Sequence, residues 1–244
     1  MTGGAELRLR AIVFDFFGTL TDPGAEVYRR AVYDETARVL RVASEDFWTQ
    51  VCASFTDRAT GLFGDTRSTL RTVAERCGAD PTGEQLDSAV STHHAGARRL
   101  HSPRPGAIEV LRELKLRGFS LALLSDCSSE LCELWPTSPF AEHFDATVFS
   151  WSEGYRKPDP RGFAKAARLL GVAPEDCWFV GDGGSGELTG ARIAGMRPVL
   201  VTNAAHPSHA QYRDNPDAFV PPDAIHDIVD VLDLVAESQP TARR

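Results

Sequence analysis

Lysine is nearly missing from this sequence: Lys115, Lys157 and Lys165 are the only three among 26 basic residues, and none lies between Asp22 and Leu100. A reaction that needs an ammonium group therefore has few places to occur. Cysteine is also sparse. Cys52, Cys77, Cys127, Cys132 and Cys177 form an odd set with no C-x-x-C pair and no Cys/His zinc spacing, which speaks against a disulfide scaffold or a zinc module and for free thiols. No run approaches the roughly 18 to 20 apolar residues of a membrane span. The start, "MTGGAELRLR", has no apolar signal segment, so a cytoplasmic location is expected. Positive charge is not in excess either. A net charge of −8 gives no reason to expect nucleic acid or an anionic membrane as partner.

What is present is an ordinary globular composition, 42% hydrophobic and 25% charged over 244 residues, enough for one domain or a core carrying a smaller one. The strand "AIVFD" leads into the turn Gly18-Thr19. Apolar residues then recur at helical spacing over Glu26–Leu40, Ser44–Phe55, Thr66–Cys77 and Glu84–Leu100, so the block from Asp22 to Leu100 reads as all-helical. From Pro105 the pattern alternates. A helix over Gly106–Arg117 precedes strands at "FSLALLSD", "FDATVFS", "CWFVGD" and "RPVLVT", with a last short strand expected at Ala218–Val220 and a final helix over Ala224–Ala236. Strands apolar on both faces and separated by helices predict a parallel sheet covered on both sides. The fold class is thus α/β, a Rossmann-like core of residues 1–21 and 101–244 with a helical cap of residues 22–100 inserted after the first strand.

Ligands in open parallel sheets bind beyond the carboxyl ends of the strands, and the polar signals fall there: Asp15, Ser125-Asp126, Lys157 and Asp182. A carboxylate past a buried strand is costly to bury and serves as nucleophile or metal ligand, or more plainly as a helix N-cap. Gly18 and Thr19 tilt Asp15 toward the first use, because a glycine turn can aim amide N–H groups at an anion. Ser125 offers a hydroxyl to an anion oxygen. Lys157 sits before Pro-Asp-Pro, in a stiff loop suited to neutralising a phosphate or a carboxylate. Asp182 and Glu187 flank a glycine-rich turn and can hold or orient Mg²⁺; the plainer alternative is a loop before a helix with an acidic first turn. Arg29 and Arg30 follow the first turn and either reach an anionic substrate or lie on a solvated helix face. Cys127 is read as packing rather than as a second nucleophile.

In this order and spacing the motifs resemble those of the haloacid dehalogenase superfamily. Asp15-Phe16-Phe17-Gly18-Thr19 resembles its D-x-D-G-T, Ser125 its strand-ending hydroxyl, Lys157-Pro158 its lysine motif, and Gly181-Asp182 through Glu187 its G-D-x-x-x-x-D. The resemblance implies a covalent intermediate on Asp15. It implies Mg²⁺ held by Asp15, the carbonyl of Phe17, Asp182 and Glu187. It assigns Lys157 to charge neutralisation, and Gly18, Thr19, Ser125 and Asp126 to binding of the phosphoryl group of a small metabolite.

Phe17 departs from the pattern. The resemblance places there a second Asp that protonates the leaving oxygen, a service typically worth about 10²–10⁴-fold. Three readings follow. The favoured one is a Mg²⁺-dependent phosphatase with an atypical acid. The second is a 2-haloacid dehalogenase, whose branch carries an aromatic residue at this position but a non-acidic one where this chain keeps Asp182. The third is a degenerate regulatory or binding protein. A phosphonate-cleaving reading, which by resemblance needs a lysine in the cap, fails because the block has none.

Overall fold

The chain is described here from a computed structural model covering residues 9–206, 211 and 213–238. The expectation drawn from the start of the sequence falls on residues 1–8, which lie outside them. Six strands, β1 (Ala11–Phe14), β2 (Ser120–Ser125), β3 (Ala146–Phe149), β4 (Cys177–Gly181), β5 (Arg197–Val201) and β6 (Asp223–Ile225), form one sheet in the order β3-β2-β1-β4-β5-β6. Every pairing is parallel. This is the expected Rossmann-like α/β sheet, with β1 near its centre between β2 and β4.

Among the described residues eleven α-helices accompany it. The block after β1 holds α1 (Arg29–Leu40), α2 (Ser44–Ala53), α3 (Phe55–Ala59), α4 (Thr66–Arg76) and α5 (Gly83–Leu100). The remainder are α6 (Ala107–Leu116), α7 (Ser129–Leu134), α8 (Ser150–Glu153), α9 (Pro160–Leu170), α10 (Glu187–Ile193) and α11 (Val231–Ser238). Side chains alternate across a strand, so β1 feeds two cores. Ile12 and Phe14 pack with Leu111 and Leu114 of α6 and Val231 and Val235 of α11. Ala11 and Val13 pack on the opposite face with Phe163 of α9 and Leu188 and Ala191 of α10. Both faces of β1 are thus closed to water, which is why its sequence is apolar throughout.

The helical block has an apolar cluster of its own, including Tyr33, Leu40, Phe47, Leu70, Val73 and Leu86. Each such side chain, fully buried, stabilises by roughly 1.5–3 kcal/mol. Its helix α5 starts at a capping box, Thr82 with Gln85, which fixes where the helical spacing resumes after Cys77. Helices α1 and α5 approach so closely that a Cβ on Gly96 would lie 2.4 Å from Val32 Cγ1. The chain leaves and re-enters the sheet side by side: Thr21 bridges to Pro103 and the Asp22 N–H donates to Ser102 O at 3.0 Å.

Two expectations near the C-terminus are corrected. The last strand is Asp223–Ile225 rather than Ala218–Val220, and α11 starts at Val231 after a short 3-10 turn at Ile228–Asp230, rather than at Ala224. Val220 is 72% exposed and is followed by Pro221-Pro222, which carry no N–H for a ladder; pairing with β5 starts only beyond them. Among the described residues no helix is long and apolar enough to cross a membrane.

Candidate active site

The sheet delivers its polar residues to one edge. Asp15 follows β1 directly, and its N–H donates to Val180 O of β4 at 2.9 Å. The turn behind it is tight: Gly18 adopts φ +73°, a conformation that favours glycine. The Gly18 N–H donates to Thr21 Oγ1 at 3.0 Å and its carbonyl accepts from Asn203 Nδ2 at 2.8 Å. Thr19, fully buried, donates its hydroxyl to Asp15 Oδ2 at 2.9 Å. Both residues predicted to bind substrate are therefore engaged in shaping the turn and orienting the carboxylate.

Lys157 Nζ donates to Asp15 Oδ1 and to Glu187 Oε2, each at 2.5 Å. Glu187 Oε1 accepts the Gly183 N–H at 2.9 Å, and Asp182 Oδ1 accepts the Gly184 N–H at 2.9 Å. A Cβ at Gly181 would lie 2.2 Å from Glu187 Oε1, so the glycine before Asp182 makes room for the glutamate. Asp15, Asp182 and Glu187, all buried, each offer an oxygen, and the three atoms lie within 4.8 Å of one another. Burial raises the pKa of Asp15, with the Asp182 charge adding to it and Lys157 opposing. Burial likewise pushes Glu187 well up, reinforced by Asp15. Burial works against the Lys157 charge, but Asp15, Glu187 and Asp126 outweigh it and hold the amine protonated. One ammonium among three crowded acids leaves a negative excess.

Ser125 ends β2 two residues past the registered pair Phe14–Leu123. Its hydroxyl is fully buried and has no hydrogen-bond partner among the described residues. An orphaned buried hydroxyl costs about 1–3 kcal/mol, which a ligand oxygen would relieve. Asp126 is committed elsewhere: Oδ1 accepts the Lys157 N–H at 2.9 Å and Oδ2 the Arg156 Nε–H at 3.1 Å. Cys127 is buried, and burial pushes its thiol well up, so it is packing and not a thiolate.

A cavity of about 370 Å³ opens above these groups, roofed by the helical block. Asp15, Lys157 and Asp182 line its floor, and Arg29, Trp48 and Arg58 line its roof. Phe17 lines it too, its ring 5.1 Å from Phe16, 5.6 Å from His101 and 5.4 Å from the Arg29 guanidinium carbon. Arg29 is gripped by Glu26 at 2.6 and 2.9 Å. Arg30 instead faces outward to Asp34 and Glu45, the solvated-face outcome.

Three arginines and an asparagine escaped the sequence reading, and a fourth arginine, Arg58, enters it only as one of the cap arginines, with Arg29, Arg30 and Arg38, available to a halide. Buried Arg58 donates to Ser128 Oγ at 2.6 Å and Val51 O at 3.0 Å. Arg213 Nε lies 3.2 Å from Asp182 Oδ2. Arg104, 3% exposed, donates to Asn203 Oδ1 at 2.8 Å and Thr19 O at 3.3 Å, bracing the Asp15 turn from behind. Arg156 donates its Nε–H to Asp126 Oδ2 at 3.1 Å. Only the prolines flanking Arg104 and the position of Arg156 beside Lys157 were local signals.

Comparison with known proteins is consistent with this geometry. Residues 9–195 match the family described as haloacid dehalogenase-like hydrolase. The chain is 30% identical over 206 residues to a phosphoserine phosphatase of Thermus thermophilus, covering 83% of this chain and 81% of the relative. It is 28% identical to (S)-2-haloacid dehalogenase 4A of Burkholderia cepacia, covering 84% and 87%. The L-2-haloacid dehalogenase of Xanthobacter autotrophicus with chloropropionic acid covalently bound shares the fold, with a TM-score of 0.64 at 21% identity over 93% of this chain and 98% of that one.

Proposed function

The chain belongs to the haloacid dehalogenase-like hydrolases, and from that premise we propose that it is a Mg²⁺-dependent phosphatase of a small phosphorylated metabolite. The observation that carries this reading is the oxygen-only triad of Asp15, Asp182 and Glu187. Three carboxylates with no thiolate or imidazole among them suit a small hard cation. These residues would hold Mg²⁺, together with the Phe17 carbonyl that the family resemblance adds. Bound there, the ion supplies electrostatic stabilisation to the charge on the transferring phosphoryl group.

The chain's own residues perform the rest. An Asp15 carboxylate oxygen attacks phosphorus, the ester P–O bond breaks, and the leaving oxygen takes the electron pair. Water then cleaves the aspartyl phosphate, releasing phosphate and restoring Asp15. Lys157 keeps the attacking oxygen in place and offsets its charge, and Thr19 fixes the other oxygen. Ser125 gives its unmet hydroxyl to the phosphoryl group. This is positioning plus electrostatics, which phosphoryl transfer demands. The helical block acts as a cap that limits bulk water while leaving room for the one hydrolytic molecule.

Phe17 has no proton for the leaving oxygen. The site therefore favours substrates whose leaving group departs as a stable anion or takes its proton from the substrate or the cap. A second reading, halide displacement from a 2-haloacid, is favoured by one observation, the aromatic ring at position 17, which suits a leaving group that needs no proton. The test is a side-by-side release assay. Phosphate release from acetyl phosphate or p-nitrophenyl phosphate that needs Mg²⁺ and disappears in Asp15→Asn supports the phosphatase. Halide release from 2-chloropropionate in EDTA establishes the dehalogenase instead.

A further inference from the structure

Arg156 immediately precedes Lys157 and joins four separate parts of the chain. Its Nε–H donates to Asp126 Oδ2 at 3.1 Å, in the loop after β2. Its Nη2 donates to Ser185 Oγ at 3.1 Å, in the glycine-rich turn after β4, and to the Asp214 carboxylate in the segment after β5. Its Nη1 donates to Thr56 Oγ1 at 3.1 Å, on α3 of the helical block, and its guanidinium carbon stands 4.5 Å from the centroid of the Phe55 ring. Two of these contacts reach the block and three the sheet's edge.

The partners explain why an arginine is used. A single charge would satisfy either carboxylate, but only a planar fork reaches Asp126, Ser185, Asp214 and Thr56 from one position. Asp126 passes the connection on, because its other oxygen accepts the Lys157 N–H at 2.9 Å. A continuous path thus runs Thr56–Arg156–Asp126–Lys157, from α3 of the helical block to the residue that holds Asp15 and Glu187.

We infer that Arg156 is a positioning residue that makes the seating of the helical block and the placement of the Lys157 ammonium a single event. With the block seated, Thr56 and Phe55 hold the guanidinium flat, Asp126 is drawn to it, and the Lys157 backbone is fixed. With the block lifted, Arg156 loses its roof-side partners and Asp126 its fixed donor, so the lysine loop loosens. The consequence is specific: loss of a hydroxyl on α3 is felt at the Lys157 amide, although Thr56 makes no contact with it.

The inference rests on the hydrolase reading for its purpose but not for its test, which is amide hydrogen exchange on the full chain. Thr56→Val removes only the roof-side bond of an exposed residue. It is expected to speed exchange roughly three- to tenfold in α3 and also at the Lys157 amide, the effect of one hydrogen bond. In an Arg156→Ala background the same change is expected to have no further effect at Lys157. Arg156→Lys, which keeps the charge without the fork, is expected to leave the Lys157 amide as fast as Arg156→Ala does. A Lys157 amide that exchanges at the wild-type rate in Thr56→Val would overturn the inference. So would a Thr56→Val effect at that amide that persists undiminished without Arg156. If the wild-type chain released no phosphate from p-nitrophenyl phosphate, the proposed function would fail while the exchange result would still decide the coupling.

Discussion

His101 is the imidazole packed against Phe17, with ring centroids 5.6 Å apart, and it is 8% exposed. It is therefore the obvious group to ask for the proton that Phe17 does not carry. Burial pushes its pKa down from 6.5 to about 4, with Glu130 opposing and Arg29 adding to the depression. At neutral pH the ring is neutral and has no acidic proton to give. Folding stability reports this directly. Above pH 6.5 both folded and unfolded chains hold a neutral His101, and the stability is fully present. As pH falls below 6.5 the unfolded chain binds a proton that the fold refuses until about 4, so stability is lost across that window. At about 1.4 kcal/mol per pH unit the full loss is about 3 kcal/mol, a large share of the roughly 5–15 kcal/mol typical of a domain. His93 is also depressed by burial, so the total acid loss is larger and the contribution of His101 must be isolated. Urea unfolding of wild type and His101→Leu at pH 7.5 and 4.5 does this: the gap between them is expected to shift by about 2 to 3 kcal/mol in favour of the variant at the lower pH. Parallel stability curves would refute the reasoning and reopen His101 as a candidate proton donor beside Phe17.

Other predictions follow from the same geometry. Ser125→Ala removes an unsatisfied buried hydroxyl, so the ligand-free protein is expected to unfold with unchanged or roughly 1 kcal/mol greater stability, while inorganic phosphate inhibits less well. Lys157→Met strips the ammonium from two buried carboxylates. It is expected to cost about 3–5 kcal/mol in urea melts and to abolish phosphate release. Phe17→Asp restores a carboxyl at the leaving-group position; turnover of unactivated phosphomonoesters is expected to rise by about 10²-fold or more, and an unchanged rate would show that the pocket, not the missing proton, limits them.

The sheet was legible because a doubly covered strand has no choice of composition: β1, β2 and β4 are apolar on both faces, and each meets a polar residue at its end or directly after it. The convergence of polar residues at the sheet's edge was legible for the same reason, since Asp15, Ser125 and Asp182 are placed by the strands that lead to them, and Lys157 stood out by the scarcity of its kind. The last strand was not. Ala218–Val220 is the more apolar stretch, yet β6 forms where the backbone can pair with β5, past two prolines. The long-range arginine contacts were illegible on different grounds. Arg58 meets Ser128 70 residues away, Arg104 meets Asn203 99 away, and Arg156 meets Thr56 100 away. Nothing local marks an arginine whose partner is set by tertiary packing. Among 23 arginines, residue type has no power to pick out these few.

Charge balance then bears on which anion the site was built to receive. Its floor places three buried carboxylates, Asp15, Asp182 and Glu187, against two cations, Lys157 and Arg213. With all three ionised that is one negative charge in excess within a few ångströms, where unscreened charges interact by several kcal/mol, the same crowding that raises Asp15 and Glu187. A 2-haloacid brings a further negative charge and a phosphate monoester nearly two, so neither anion is welcome on the floor as it stands. A divalent cation turns the excess from one negative to one positive, which suits a phosphoryl dianion. An enzyme that displaces halide would gain nothing from keeping the third carboxylate. The prediction is a linkage: inorganic phosphate is expected to bind the Mg²⁺-loaded protein at least tenfold more tightly than the EDTA-treated protein by calorimetry, and Asp182→Asn is expected to narrow that difference by weakening the ion's hold. Equal phosphate affinity with and without Mg²⁺ would remove the charge argument and, with it, the case for preferring a phosphate ester to a haloacid.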